Sequence, residues 1–396
     1  MWKTIEKNNK FILRVDNEFY VLNKDTYELI DAYTTGKEKE FQERYELSDD
    51  DLQTLYNTIS NTLYNPPTYL PAFDEILSAQ WRITSNCNLS CKHCYISQNK
   101  EEVSIDVINR IIDKIIDEKI MSITITGGEP LLVKDVDKIV RKLLLSDIHV
   151  KICTNGLLLP AFLNHFSNED DVEFMISLDG TEDCHDAIRG KGTFRRTIEG
   201  IRLASMNGFS ITVNIVLNKI NYLSIPELLS FLSKLNIRKV QISEMWLFGN
   251  ALQNEHELIL SKEEHDLYVK KIFEQKNELA GMVLSFSNKY AHENDFSVYK
   301  IADDGTVLNQ GEDVWRCAAG QCKVSIDEWG DVYCCNLLKS TKLGSLLTSD
   351  FNQILKSEKR YRIVSRVVDL NKNNRICTVI RTGIEESDKI IQGENK

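Results

Sequence analysis

Gln80-Trp81-Arg82-Ile83-Thr84-Ser85-Asn86-Cys87-Asn88-Leu89-Ser90-Cys91-Lys92-His93-Cys94-Tyr95 runs from a short alternating apolar segment straight into a cysteine loop. The loop sets three thiols at C-x3-C-x2-C and places an aromatic residue directly after the third. A cubic 4Fe–4S cluster takes one thiolate per iron when protein holds all four irons. Three thiolates from one loop leave one iron open to a ligand from outside the chain, and an electron can pass to that ligand. Two blander readings share these residues: a zinc loop, with His93 offered as a further ligand, or packed thiols. Zinc sites usually combine C-x2-4-C with a second, distant pair.

The loop does not stand alone. Strand segments are expected at 80–84, 122–126, 150–154, 172–178, 210–217 and 239–243, each followed by a helical pattern. The clearest helix runs over 104–118, with Ile105, Ile108, Ile111, Ile112, Ile115 and Ile116 on one face and Ser104 as N-cap. Strand–helix alternation implies parallel strands joined by right-handed crossovers. Repeated around an axis, such units place active groups in the loops at the C-terminal ends of the strands. The cysteine loop follows the first strand. Thr126-Gly127-Gly128-Glu129-Pro130 ends the second, where two glycines let a backbone approach a ligand closely and Glu129 adds a carboxylate. Ser177-Leu178-Asp179-Gly180 ends the fourth, with Arg189-Gly190 beyond it. Each of the last two also reads as an ordinary turn or capped strand end. Thr154-Asn155-Gly156 is a turn by composition, and Cys153 and Cys184 read as isolated packed thiols.

The C-x3-C-x2-C loop one strand–helix unit before Gly-Gly-Glu-Pro resembles the radical S-adenosylmethionine (SAM) superfamily. The resemblance implies an α/β fold with a partial (β/α)6 barrel over residues 78–290. It implies that Cys87, Cys91 and Cys94 hold the catalytic 4Fe–4S cluster and that the open iron binds SAM. By the same resemblance Tyr95, Thr126, Gly127, Gly128 and Glu129 hold SAM, and Ser177 and Asp179 match the family's ribose-binding strand end.

Composition narrows the partners. At 396 residues the chain is long enough for two or three domains. A net charge of −11 argues against nucleic acid. No apolar run reaches membrane-spanning length and the start carries no apolar signal core, so a cytoplasmic protein without a membrane partner is expected. In that compartment ten cysteines read as metal ligands before disulfides.

Two further units flank the barrel. Residues 10–15 and 18–22 read as strands joined at Asp16-Asn17, and helical patterns follow at 25–35, 37–44 and 48–63 before Pro66-Pro67 breaks the chain. This order over 1–70, with Tyr20-Val21-Leu22-Asn23-Lys24-Asp25-Thr26, resembles the winged-helix-like, PqqD-like recognition element (RRE) of enzymes that modify ribosomally made peptides. The resemblance implies that the leader of a precursor peptide binds there, an extended segment adding to an open sheet edge. A structural cap is the plain alternative. A DNA-binding role sits poorly with Glu38, Glu40, Glu43, Glu46 and Asp49 to Asp51. Toward the other end, Cys317, twelve residues, Gly330, four residues and Cys335 resemble the opening of SPASM and twitch domains, which hold auxiliary iron–sulfur clusters. Only Cys377 follows, so the shorter twitch arrangement over 300–385 is expected. By that resemblance a single 4Fe–4S or 2Fe–2S cluster takes Cys317, Cys322, Cys335 and Cys377, with Cys334 an alternative to Cys322.

Together the resemblances imply a radical SAM peptide maturase of the sactipeptide or ranthipeptide type. It would join a cysteine sulfur to a carbon of its precursor, using a reductant such as flavodoxin or ferredoxin. A carbon–carbon cross-link, epimerisation or oxidation of one residue are alternative outcomes. A peptide-binding partner subunit with vestigial chemistry is the alternative of another class.

Overall fold

The computed structural model describes residues 2–7, 10–15, 18–64, 76–98, 101–287, 296–302, 304, 306–309 and 322–371. The chain divides into two compact units, Met1–Phe73 and Asp74–Lys396.

The first unit begins with a meander of β1 (Trp2–Lys7), β2 (Lys10–Val15) and β3 (Glu18–Leu22), all antiparallel with β2 central. Two strands are expected here from the sequence, and β1 is a third. Lys3, Thr4 and Glu6 surround one aliphatic residue, Ile5, so the segment has little strand signal of its own. Its pairing with β2, Ile5 opposite Ile12, supplies what the local sequence lacks. The expected turn residues Asp16 and Asn17, and Pro66-Pro67, lie outside the described residues. Helices α1 (Lys24–Thr35), α2 (Glu38–Tyr45) and α3 (Asp49–Tyr64) follow. Asn23 caps α1 by accepting from the Thr26 amide at 2.8 Å, and Gly36 ends it at φ 71°, a conformation that favours glycine. Leu29, Ala32 and Phe41 form a small core with Leu47, Leu52 and Tyr56 against it.

The second unit is an α/β structure on one sheet, with twelve strands among the described residues. Its centre is parallel: β4 (Ser78–Thr84), β5 (Ser122–Gly127), β6 (His149–Thr154), β7 (Val172–Ser177), β8 (Ser210–Val216) and β9 (Lys239–Ser243) pair in chain order. They match the six expected strands to within a residue or two at each end. Beside β9 lies β10 (Val283–Ser287), also parallel, then β11 (Phe296–Ile301) and β12 (Val307–Asn309), both antiparallel. On the other side β13 (Lys323–Ile326) pairs in parallel with β4, and β14 (Asp331–Tyr333) and β15 (Lys342–Ser345) continue antiparallel.

The crossovers are helical. They comprise α4 (Ile105–Asp117), α5 (Val136–Leu145), α6 (Leu159–Phe162), α7 (Glu182–Arg189), α8 (Thr193–Met206) and α9 (Ile225–Lys234). Three more, α10 (Gly249–Gln253), α11 (Glu255–Leu258) and α12 (Lys262–Glu274), lie between β9 and β10, and α13 (Phe351–Leu355) and α14 (Glu358–Asn371) end the described chain. Helix α4 starts at Ser104, whose hydroxyl accepts from the Val107 amide, and buries Ile108, Ile111, Ile112 and Ile115.

Parallel sheets covered on both faces read as continuous apolar runs. These strands alternate instead. Trp81, Ile83, Ile123, Ile125, Val150, Ile152, Phe174, Ile176, Val213, Ile215, Val240 and Ile242 are buried in the core shared with the helices. Between them, on the opposite face, stand Gln80, Arg82, Thr124, Thr126, Lys151, Cys153, Met175, Ser177, Asn214, Gln241 and Ser243, all half-buried. A period of two turns these side chains away from the helices, so the opposite face of the sheet is lined mostly with polar groups. That face bonds to itself: Ser243 donates to Asn214 at 2.8 Å and Gln241 to Ser243 at 3.0 Å.

Candidate active site

The cysteine loop leaves the C-terminal end of β4 and is fastened from several sides. The Lys92 amide donates to the Ile188 carbonyl on α7 at 2.9 Å. On α10 and beside it, Asn250 Nδ2 donates to the Cys91 carbonyl at 3.0 Å and Asn254 Nδ2 to the Lys92 carbonyl at 3.1 Å. The Ala251 amide donates to the Cys94 carbonyl at 3.2 Å, and Lys92 pairs with Glu257 on α11 at 2.8 Å. The Tyr95 ring meets Trp246, in the loop after β9, edge to face with centroids 5.0 Å apart.

Three N–H groups point at two of the sulfurs. Cys87 Sγ receives the Leu89 amide at 3.4 Å and Asn155 Nδ2 at 4.0 Å; Cys91 Sγ receives Arg189 Nη1 at 3.8 Å. Burial pushes the Cys87 thiol up, and carries Cys91 to about 11 although Arg189 opposes it. Such thiols give up their protons to a bound metal more readily than to bulk water. Among the described residues no three His, Cys, Asp or Glu side chains converge as they would around a single ion. Three soft sulfurs served by outward N–H donors fit an iron–sulfur cluster, whose sulfurs accept such hydrogen bonds.

Gly127 and Gly128 pass close under the start of this loop. A Cβ on Gly128 would stand 2.2 Å from the Asn86 carbonyl oxygen, and one on Gly127 2.6 Å from that of Thr84. The close approach lets the Gly128 and Glu129 amides donate to Thr84 and Asn86 at 2.9 and 2.7 Å, tying the end of β5 to the residue before Cys87. Thr126 stands half-buried on the polar face just before them. Glu129 is fully buried. Its carboxylate accepts from Thr154 Oγ1 at 2.8 Å, the Asn155 amide at 2.8 Å and the Leu131 amide at 3.0 Å. Burial nevertheless raises its pKa against these three donors. The glutamate thus turns inward and orders the end of β6, whose Asn155 in turn reaches Asn88 and Cys87.

Ser177 lies half-buried at the end of β7, in register with Asn214. Asp179 does not share that exposure. It is fully buried, one oxygen accepting the Val216 amide at 2.8 Å and the other facing Arg189 Nε at 2.5 Å and His93 Nε2 at 3.4 Å. A ribose contact expected at Asp179 therefore has no exposed oxygen to meet. Burial favours the acid form of Asp179, but the charges of Arg189, His93 and His185 outweigh it and lower its pKa. Burial also holds His93 and His185 down to about 4.

In the second cysteine group, Cys322 is buried and its carbonyl accepts the Leu77 amide at 2.8 Å, while Cys334 and Cys335 follow β14. Cys317 and Cys377 lie outside the described residues. One link missed by sequence reading joins this region to the loop: Glu328, in the hairpin between β13 and β14, binds Arg82 Nε at 2.7 Å and the Ser85 hydroxyl. Nothing near position 328 signals a partner more than two hundred residues away.

Residues 81–232, from β4 into α9, match the sequence model of the radical SAM superfamily. The chain carries a radical SAM domain. That family's cofactors are a 4Fe–4S cluster and SAM. The mycofactocin maturase MftC of Mycobacterium tuberculosis (strain CDC 1551 / Oshkosh) is 26% identical over 280 residues, 68% of each chain. The sporulation killing factor maturation protein SkfB of Bacillus subtilis (strain 168) is 32% identical over 162 residues, 39% of this chain and 38% of SkfB. Among solved structures, Streptococcus suis SuiB bound to SAM superposes with a TM-score of 0.62 at 17% identity, covering 90% of this chain and 87% of SuiB. SuiB bound to its precursor peptide SuiA gives 0.60, also at 17%, covering 89% and 86%. Among the described residues no helix is long and apolar enough to cross a membrane.

Proposed function

We propose that this chain is a radical SAM enzyme that modifies a ribosomally made precursor peptide. The observation carrying this reading is the loop of Cys87, Cys91 and Cys94, served by N–H donors and set at the C-terminal ends of strands whose free face is polar. When bound there, a 4Fe–4S cluster supplies the electron that splits SAM into methionine and a 5′-deoxyadenosyl radical, which removes a hydrogen atom from the substrate. The chain's own residues bind and orient. The backbone of Gly127 and Gly128, with Thr126, would hold the SAM amino group, and Ser177 would meet its ribose. Tyr95 closes the loop against Trp246. Glu129 acts from behind by fixing Asn155.

The substrate class rests on the relatives. Two of them are named for maturation, of mycofactocin and of a sporulation killing factor, and SuiB has been solved with a precursor peptide. Among the described residues of the first unit β1 and β3 are the edge strands, and leader recognition by an RRE-type domain over 1–70 would add an extended segment to one of them. Cys322 and Cys335, with Cys317 and Cys377, would hold one auxiliary cluster in the region 300–385. It would take up the electron released when a cysteine sulfur is joined to carbon. An external flavodoxin or ferredoxin would reduce the first cluster.

Anaerobically reconstituted protein, given SAM, dithionite and its precursor, should release 5′-deoxyadenosine and return a peptide lighter by two hydrogens. Deoxyadenosine without any change in peptide mass, in D2O as well as in H2O, would remove the peptide-modifying reading. A mass unchanged but for deuterium taken up from solvent would replace the thioether by epimerisation.

A further inference from the structure

The polar residues behind Cys91 are more elaborate than a structural ion pair needs. Arg189 ends α7 with its side chain 9% exposed. Its Nε contacts Asp179 Oδ2 at 2.5 Å, its Nη2 faces His93 Nε2 at 3.4 Å and its Nη1 faces Cys91 Sγ at 3.8 Å. A two-pronged pair would be the usual geometry for a guanidinium and a carboxylate. It is not made here: the other Asp179 oxygen accepts the Val216 amide at 2.8 Å instead. The carboxylate therefore grips Nε alone and sends both terminal nitrogens toward the cysteine loop. Replacing a buried ion pair by apolar residues is often neutral or stabilising, so packing alone gives weak reason for such a pair. The donors at the other sulfur, the Leu89 amide and Asn155, are uncharged. Only Cys91 receives a cationic N–H among the described contacts.

We propose that Arg189 is a positioning residue that raises the reduction potential of the iron–sulfur cluster by directing a cationic N–H at the Cys91 sulfur, with Asp179 and His93 locking its orientation. The inference rests on the radical SAM reading given above. Its physics is direct. Reduction adds one negative charge to the cluster, and a buried positive charge beside a ligand sulfur favours the state carrying it.

The test is an EPR-monitored redox titration of anaerobically reconstituted full-length protein, with iron and sulfide measured alongside. R189Q should keep its iron and sulfide and show a one-electron reduction equilibrium at least tenfold less favourable, about 59 mV more negative. R189K, which keeps the charge, should recover part of the shift. The double variant D179N/R189Q leaves no lone buried carboxylate and should shift in the same direction even if R189Q folds poorly. A wild-type potential in R189Q and in the double variant would overturn the proposal, as would loss of iron from all three, since the role would then be structural. Wild-type protein without a cluster signal would instead overturn the reading on which the proposal stands.

Discussion

Gly128 and Glu129 show how far single residues can be read. Two adjacent glycines at a strand end announce a backbone that must come close to something, and the structure supplies the neighbour, the Asn86 carbonyl. Gly128→Ala should therefore push the start of the cysteine loop away. We expect iron and sulfide bound after reconstitution to fall several-fold, with helix and strand content by circular dichroism retained. Glu129 was legible as a carboxylate near the site but not as one aimed inward, because its partners Thr154 and Asn155 belong to the next strand. All three of its partners are donors. Glu129→Gln would turn an amide N–H toward the Asn155 N–H and should cost about 1–3 kcal/mol of stability, read from urea unfolding. Arg189 was quoted in the sequence only as lying beyond a strand end. Its direction depends on Asp179 being held by Val216, a contact that no local pattern encodes.

Among the elements, strands β4 to β9 were placed well because each alternates apolar and polar residues between clear breaks. The same alternation carried unused information: a parallel sheet with one polar face is not packed between two apolar layers. At the N-terminal ends of β6, β7 and β8 that face closes with Lys151 on Glu173 at 3.1 Å, Thr212 on Glu173 at 2.9 Å and His149 on Asp171 at 2.7 Å. Burial raises the Glu173 pKa, but His149 beside it, the Lys151 charge and hydrogen bonds from Lys151 and Thr212 outweigh it and hold it at about 2. A carboxyl depressed by folding adds stability above its unfolded value, about 4.3, and loses it as pH falls toward 2. Urea unfolding of wild type and Glu173→Gln should therefore differ by on the order of 3 kcal/mol more at pH 6 than at pH 2. A gap independent of pH would remove the network from the balance. In α4 the isoleucine stripe was legible for the same periodic reason, except that Ile105 in the first turn is exposed; Ile111→Ala, at a fully buried site, should cost about 2–5 kcal/mol in the same assay.

At the scale of the molecule, the pairing of β13 with β4 was beyond local reading. Lys323 lies opposite Ser78, and the strands run parallel with more than half of the chain between them. Sequence patterns name strands but carry no address for a partner so distant. The division after Phe73 was more legible, since a proline pair marks a break in pattern just before it. If the first unit serves to recognise a leader, a chain starting at Asp74 should still release deoxyadenosine from SAM under dithionite. It should modify full-length precursor at least tenfold more slowly, as chromatography and mass spectrometry would record. The fastening of the cysteine loop has its own outcome. Ile188, Asn250, Ala251 and Asn254 grip its backbone, and none of them is a metal ligand in this reading. Peptide and amide groups alone make these bonds. Protein bleached by air and stripped by a chelator should accept fresh iron and sulfide without being unfolded first, so oxidative damage at this centre is repairable in place.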